Sequence, residues 1–499
     1  MFKKINYSAM KIHSKLLLLV LTLVMVTSCF EDRDDNGIFA SEINDFVWKG
    51  MNAVYLYKDN MPDLANDRFS SDEEYGNYLN MFGSPEELFE SLIYQRQTVD
   101  KFSWIVDDYI ALEQLFSGIS TNNGMEYGLR FVPGSSTDIY GYVRLVLPNS
   151  DAEMQGLQRG DVFYAIDDTP LTINNVGSLV GNNTYTINLA TYDNNGTPDD
   201  DDDSIIPGTE SVTLTKEPYT ENPIFRTAVL DVDGENVGYL MYNGFTRDFD
   251  TQLNNVFADF VGNNVQHLVL DLRYNPGGSV NTAILLSSMI TGQFTGEVFS
   301  TEQWNSDLQE QFFAQSPESL INRFTDNDEG TPLNSLNLDK VYILTTGSSA
   351  SASELVIAGL TPYIEVVQIG TTTTGKYQAS FTVYDSPNLG REGANPNHTY
   401  AMQPLVLKSV NSVGFTDYDN GLPPDINLVE DISNLGVLGN PTEPLLEAAL
   451  DDIAGAGRSA FDINIDEHLF RDRNDFKRFG KDMYVDKVIP PSAISTLEQ

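Results

Sequence analysis

Residues 345–360 read TTGSSASASELVIAGL, with four serines set among alanines ahead of an apolar run. The preceding KVYILTT (340–346) is β-branched and aromatic, the composition of a buried strand. Glu354 to Leu360 carries apolar residues at helical spacing. The small residues therefore fall on a tight turn from strand to helix. Small side chains there let another backbone approach, and a serine at that turn sits at the positive end of a helix. Two readings are open at this point: a home for a nucleophile, or an ordinary serine N-cap.

The neighbouring sequence fits an α/β layer from about residue 219. VLDV and VGYLMY flank an Asp-Gly hairpin turn. FDTQLNNVFADFV (249–261) is an amphipathic helix, HLVLDLR (267–273) a buried strand, VNTAILLSSMI (280–290) a helix and IEVVQIG (364–370) a strand. Strands alternating with helices imply a largely parallel sheet with ligand sites at its carboxyl edge. Residues 296–335 read as an insertion of loops and a polar helix, and 456–499 as a polar tail without a strong period.

Earlier in the chain the pattern changes twice. SEINDFVWKGMNAVYLY (41–57), SPEELFESLIY (84–94) and YIALEQLFSGIS (109–120) read as helices; Ser84, Pro85 and Glu87 give the second a capping-box start. YGLRFV (127–132) and YGYVRLVL (140–147) then alternate like strands. They are followed by NSDAEMQGLQRGDVFYAIDDTPL (149–171), whose ordered glycines and Gly160-Asp161 turn resemble a PDZ domain of the bacterial protease type. That resemblance puts the carboxylate-binding loop at Gly128, Leu129, Arg130 and Phe131, where a peptide would add as a strand. YDNNGTPDDDDDS (192–204) lacks the spacing of an EF-hand loop and reads as a solvated hairpin extension before SVTLT (211–215), with calcium as the minor alternative for 193–203.

Charge and targeting bound the setting. The 499 residues contain 29 Lys+Arg against 72 Asp+Glu, a net charge of −43 that argues against nucleic acid or an anionic membrane as partner. Lys3, Lys4, Lys11 and Lys15 precede LLLLVLTLVMV (16–26), a secretory signal pattern. VTSC (26–29) resembles a bacterial lipobox, with Cys29 as the lipidated residue. The acidic FEDRDDNG after it resembles the surface-export signal of Bacteroidota lipoproteins. The expected location is the cell envelope, as an outer-membrane lipoprotein exposed at the surface. Cys29 is the only cysteine, so the chain has no internal disulfide and no catalytic thiol or zinc cluster.

Four segments form one chemical constellation. The serine turn is the first. DLRYNPGGSV (271–280) ends a strand with two glycines, whose amides are open enough to serve an oxyanion. GTTTTGKYQASFTV (370–383) delivers Lys376, and NGLPPD (420–425) closes the set. His267, His398 and His468 lack a catalytic context, and His13 lies in the signal. A lysine whose charge is suppressed by burial can replace histidine as base.

Together these motifs resemble the carboxyl-terminal processing proteases, the tail-specific Ser/Lys peptidases, over residues 125–453. The resemblance puts the nucleophile on Ser351 within SASASE (349–354) and the general base on Lys376. It puts the oxyanion on the amides of Gly277 or Gly278 and Ala352. The family's lysine-orienting glutamine would stand at position 380; here Ser380 stands there, and Gln378 points to the same side of a strand and is the candidate substitute. Ser349 and Ser353 read as turn and cap residues, and Glu354 as support for the first helical turn.

The implied fold is multidomain α+β. It comprises a signal peptide (1–28), an acidic tether (29–40), a helical N-terminal domain (41–123), a PDZ-like β domain (124–218), an α/β ClpP/crotonase-like peptidase core (219–455) and a tail (456–499). No metal or organic cofactor is implied, and the partner is a polypeptide held by an exposed C-terminus or extended segment. The alternative is a non-catalytic surface lipoprotein that binds peptide C-termini; a carbohydrate-binding surface protein rests only on the lipoprotein address.

Overall fold

The computed structural model describes residues 41–197, 202–455, 469–476 and 479–485. The signal segment, Cys29, the tether and His468 lie outside the described residues, as does part of the acidic 193–203 loop.

The centre is a six-stranded sheet in the order Ile224–Val232, Glu235–Tyr242, His267–Asp271, Lys340–Thr345, Glu365–Gly370, Ile426–Asn427. Its first pair is an antiparallel hairpin and the remaining pairs are parallel. Alternation along the strands divides the core into two layers. Leu240, Tyr242, Leu268, Leu270, Val341 and Ile343 face one cluster with the helices Asp250–Gly262, Val280–Thr291 and Ala352–Leu360. Val237, Tyr239, Met241, Val269, Tyr342 and Leu344 face the other, against the helix Pro444–Ile453.

A second six-stranded sheet covers the helices, in the order Gly278–Ser279, Met483–Tyr484, Gln378–Ser380, Leu405–Asn411, Val298–Trp304, Ile321–Arg323. Two expectations are corrected here. Part of the 296–335 insertion is sheet: Val298–Trp304 pairs with Leu405–Asn411, and only Ser306–Gln315 is the polar helix. The tail also contributes a strand, Met483–Tyr484, inside this sheet.

The N-terminal region packs onto the core. Its helices are Glu42–Val54, Asp72–Leu79, Pro85–Ser91 and Tyr109–Phe116, of which Asp72–Leu79 was not foreseen. Strand Trp104–Val106 pairs with Ala401–Gln403, and Asn305 donates to the carbonyls of Ala53 and Tyr55.

The β domain is one antiparallel sheet, Met125–Phe131, Ile139–Val146, Val162–Ile166, Thr184–Asp193, Ser204–Thr215, with short helices Asp151–Met154 and Val176–Gly181. The chain enters and leaves it through two antiparallel strands, Ile119–Asn122 and Glu217–Thr220. Gly128–Phe131 is the second half of a strand rather than a loop, and its outer edge pairs with Leu469–Asp472. The long hairpin 184–215 carries the acidic loop at its tip.

Candidate active site

The serine turn follows strand Lys340–Thr345 and ends at Ser351, the N-cap of helix Ala352–Leu360. Ser351 is fully buried with φ +60° and ψ −114°, a backbone that non-glycine residues rarely hold without support. That support comes from Glu354. Its Oε2 accepts from the amides of Ser351 (2.8 Å) and Lys376 (2.9 Å), and its Oε1 from Gly375 N (2.7 Å) and the Thr373 hydroxyl. One carboxylate thus ties the serine turn to the lysine turn. Burial pushes the Glu354 carboxyl up, and these four donors pull against that.

The other serines sew the turn to the DLRYNPGG loop. Ser349 Oγ donates to Leu272 O (2.8 Å), Ser353 Oγ donates to Asn275 O (3.0 Å), and Ala350 N donates to Asn275 O (3.1 Å). Asn275 in turn accepts from Gly277 N at Oδ1 (2.9 Å) and donates to Tyr242 O (2.8 Å). Beneath the loop, Arg273 is fully buried; it donates to Asp271 through Nε and makes a bidentate pair with Glu443 at 2.6 and 2.9 Å. Burial raises Glu430, but Arg159, Arg273 and Tyr274 outweigh it and hold the carboxyl at about 2.

The β domain reaches this framework with two arginines. Arg159 donates to Tyr274 OH and Glu430 Oε1, each at 2.8 Å, and Arg144 donates to Ser348 Oγ at 2.9 Å.

Ser351 and Lys376 meet on one atom: Ser351 Oγ and Lys376 Nζ both donate to the carbonyl oxygen of Lys481 at 2.8 Å. Lys376 is fully buried and lies 4.8 Å from the Phe102 ring centre. Its ammonium also pairs with Asp482 Oδ1 at 2.9 Å. Local sequence offers Lys376 no carboxylate, so the residue that faces it comes from the tail. Burial pushes the Asp482 carboxyl up, and Lys376 pulls it back.

Gly277, at φ +112°, lies against Ser351: a Cβ there would stand 2.5 Å from the Ser351 Cβ. Its amide is engaged by Asn275, whereas the Ala352 amide at the helix start makes no hydrogen bond among the described residues. Gln378 does not join Lys376; its Nε2 donates to Tyr57 OH at 3.1 Å, drawn away by the N-terminal domain. Ser380 Oγ donates to Met483 O. His267 pairs with Glu235 and His398 with Asp385, neither at the serine turn. Among the described residues no group of three His, Cys, Asp or Glu is arranged to hold a metal.

Ser351 is buried at a strand-to-helix turn with positive φ, and the buried Lys376 shares its hydrogen-bond partner, an arrangement able to carry serine-hydrolase chemistry. The profile of peptidase family S41 matches residues 236–391, and that of the peptidase S41 N-terminal domain matches 42–104. Over these two stretches the chain is similar to this family of serine-type peptidases, hydrolases of peptide bonds. It is similar to a carboxyl-terminal-processing protease of Picosynechococcus sp., at 24% identity over 65% of this chain and 69% of that one. It is similar also to the chloroplastic carboxyl-terminal-processing peptidase 2 of Arabidopsis thaliana, at 25% identity over 59% of this chain and 52% of that one. A Bacteroides fragilis structure assigned to the S41 proteases aligns with a TM-score of 0.62 and 26% identity, covering 83% of this chain and 97% of that one.

Proposed function

We propose that this protein cleaves peptide bonds of secreted or envelope polypeptides with a Ser351–Lys376 dyad. The observation that carries the reading is the convergence of Ser351 Oγ and Lys376 Nζ on a single peptide carbonyl oxygen. With its amine neutral, Lys376 takes the Ser351 proton as Oγ attacks the scissile carbonyl carbon. The oxyanion rests on the Ala352 amide and a glycine amide of 277–278. Lys376 returns the proton to the leaving amine, and water then hydrolyses the acyl-enzyme. In this reading Glu354 fixes both backbones, while Gln378 Nε2 is engaged by Tyr57.

The β domain is read as PDZ-like, offering strand Met125–Phe131 as the edge to which a polypeptide adds. The lipobox and acidic tether support an outer-membrane lipoprotein anchored through Cys29. Fatty-acid labelling that disappears in Cys29→Ser tests that address.

Activity is tested on residues 30–499 with an unfolded protein as substrate, followed by mass spectrometry. Wild type is expected to produce fragments, and Ser351→Ala and Lys376→Ala none, with all three folded. Equal fragment yield from wild type and Ser351→Ala overturns the dyad.

A further inference from the structure

The tail lies along two strand edges in succession. Leu469–Asp472 adds antiparallel to Met125–Phe131, with Phe470 edge-on to Phe131 at 5.3 Å. Phe476 then packs on the helix Val176–Gly181, 3.6 Å from where a Cβ on Gly177 would stand. A few residues on, Met483–Tyr484 enters the second sheet between Gly278–Ser279 and Gln378–Ser380, parallel to both. Val485 N donates to Ser380 O at 2.9 Å, and Tyr484 stacks on Phe116 at 4.4 Å. Between these two docked pieces lies the contact of Lys481 O with the dyad.

Paired strands on both sides, an aromatic seat and a carbonyl on the nucleophile are what an extended polypeptide substrate needs. Yet the pose is not reactive. Attack requires the Oγ lone pair at the carbonyl carbon and the carbonyl oxygen on amide donors. Here the oxygen instead accepts from Oγ and from Nζ. Asp482 meanwhile occupies Lys376 Nζ, the atom that would have to take the serine proton. Beside the strand a cavity of about 150 Å³ remains between Phe116, Phe245 and Phe479. Asn243 lines it with a buried side-chain amide that has no hydrogen-bond partner among the described residues.

We propose that the edge of Met125–Phe131 and the slot between Gly278–Ser279 and Gln378–Ser380 form one polypeptide-binding track. Its resident ligand is the chain's own tail, in two described pieces, 469–476 and 479–485, which substrate must displace. The inhibitory part of this inference rests on the dyad reading; the occupancy part does not. Chains that compete are extended segments with aromatic residues spaced as Phe470, Phe476, Phe479 and Tyr484 are in the tail.

The test separates occupancy from turnover. In a Ser351→Ala background, a fluorescein-labelled peptide FGKDMYV (residues 479–485) is titrated by anisotropy into the full chain. If the resident tail fills the slot ten times out of eleven, ejecting it with Met483→Asp tightens the probe about tenfold, and Asp482→Ala moves it the same way by less. Affinities that agree within about twofold across the three chains overturn the proposal. Hydrogen exchange on the unsubstituted chain needs no variant to fold. The Val485 amide is expected to exchange slowly and to lose protection when unlabelled FGKDMYV is added in excess; an unprotected amide in the free chain overturns the proposal. Turnover is read separately with Ser351 intact, where Met483→Asp is expected to cleave an unfolded protein about tenfold faster than wild type. If no chain cleaves while the probe distinguishes them, occupancy stands and the dyad reading falls. If the probe binds all three alike while wild type cleaves, the tail proposal falls and the dyad stands.

Discussion

Glu354 meets four donors with two oxygens, and those donors belong to both turns of the dyad. Replacing it with glutamine puts an NH₂ where only acceptors fit. In Glu354→Gln, kcat is expected to fall about a hundredfold with KM within a few-fold, the signature of lost positioning rather than lost binding. Glu354→Ala leaves buried donors unpaired and is expected to cost about 3 kcal/mol in denaturant unfolding. Gly277 faces a different limit: its φ of +112° and a Cβ position 2.6 Å from Asp482 O leave no room for alanine. Gly277→Ala is expected to abolish cleavage and to expose 483–485 to hydrogen exchange together. Ser351 and Lys376 could be nominated from the sequence because each sits in a short motif whose turn residues surround it, and the fold brings both to the Lys481 carbonyl. Asp482 was not, because it reaches Lys376 from a polar segment without period, and only the fold brings the two within 2.9 Å. Gln378 was read on the correct strand, but Tyr57, from the distant N-terminal domain, claims its amide.

Helix Asp250–Gly262 starts with a carboxylate that is buried rather than solvated. Thr282 Oγ1 donates to Asp250 at 2.7 Å, but burial outweighs that bond and pushes the carboxyl up to about 7. Because the folded value lies above the unfolded one, the protonated acid favours the fold. Its contribution is full below the unfolded value near 3.8 and is lost as pH rises to about 7. Asp250→Asn keeps an acceptor for Thr282 without the charge. It is expected to stabilise the protein by about 2 kcal/mol at pH 8 and by almost nothing at pH 4, measured by urea unfolding at both. Periodicity revealed the helices Asp250–Gly262, Val280–Thr291 and Ala352–Leu360 and the strands between them because their apolar faces are continuous, but it missed helix Pro444–Ile453 and strand Ile426–Asn427. It missed Val298–Trp304 because Ser300 and Glu302 point into buried surroundings, where Asn322 and Trp304 satisfy them. Polar residues on a buried strand look like loop until their partners are known.

At the scale of the molecule, the β domain is joined to the core by charge as much as by packing. Arg159 is the side chain that crosses to Glu430 and Tyr274, and Arg144 ends on the serine turn itself. Arg159→Met removes one of the cations that hold Glu430 ionised while keeping the apolar stem. It is expected to destabilise by about 3 kcal/mol, with the Glu430 carboxyl rising as its partner goes. Proteinase K is then expected to cut first at the paired strands Ile119–Asn122 and Glu217–Thr220, seen as fragments carrying the β domain.

The register of the second sheet sets an order in time. Gly278 waits for Met483, and Ser380 waits for Tyr484. A ribosome makes both waiting strands well before the one that joins them. During that interval each presents an open edge, the kind of surface that recruits foreign strands. The nascent chain therefore has Ser351 without its contact to Lys481 until residues 479–485 have been translated. Any factor that holds residues 479–485 away would prolong that interval.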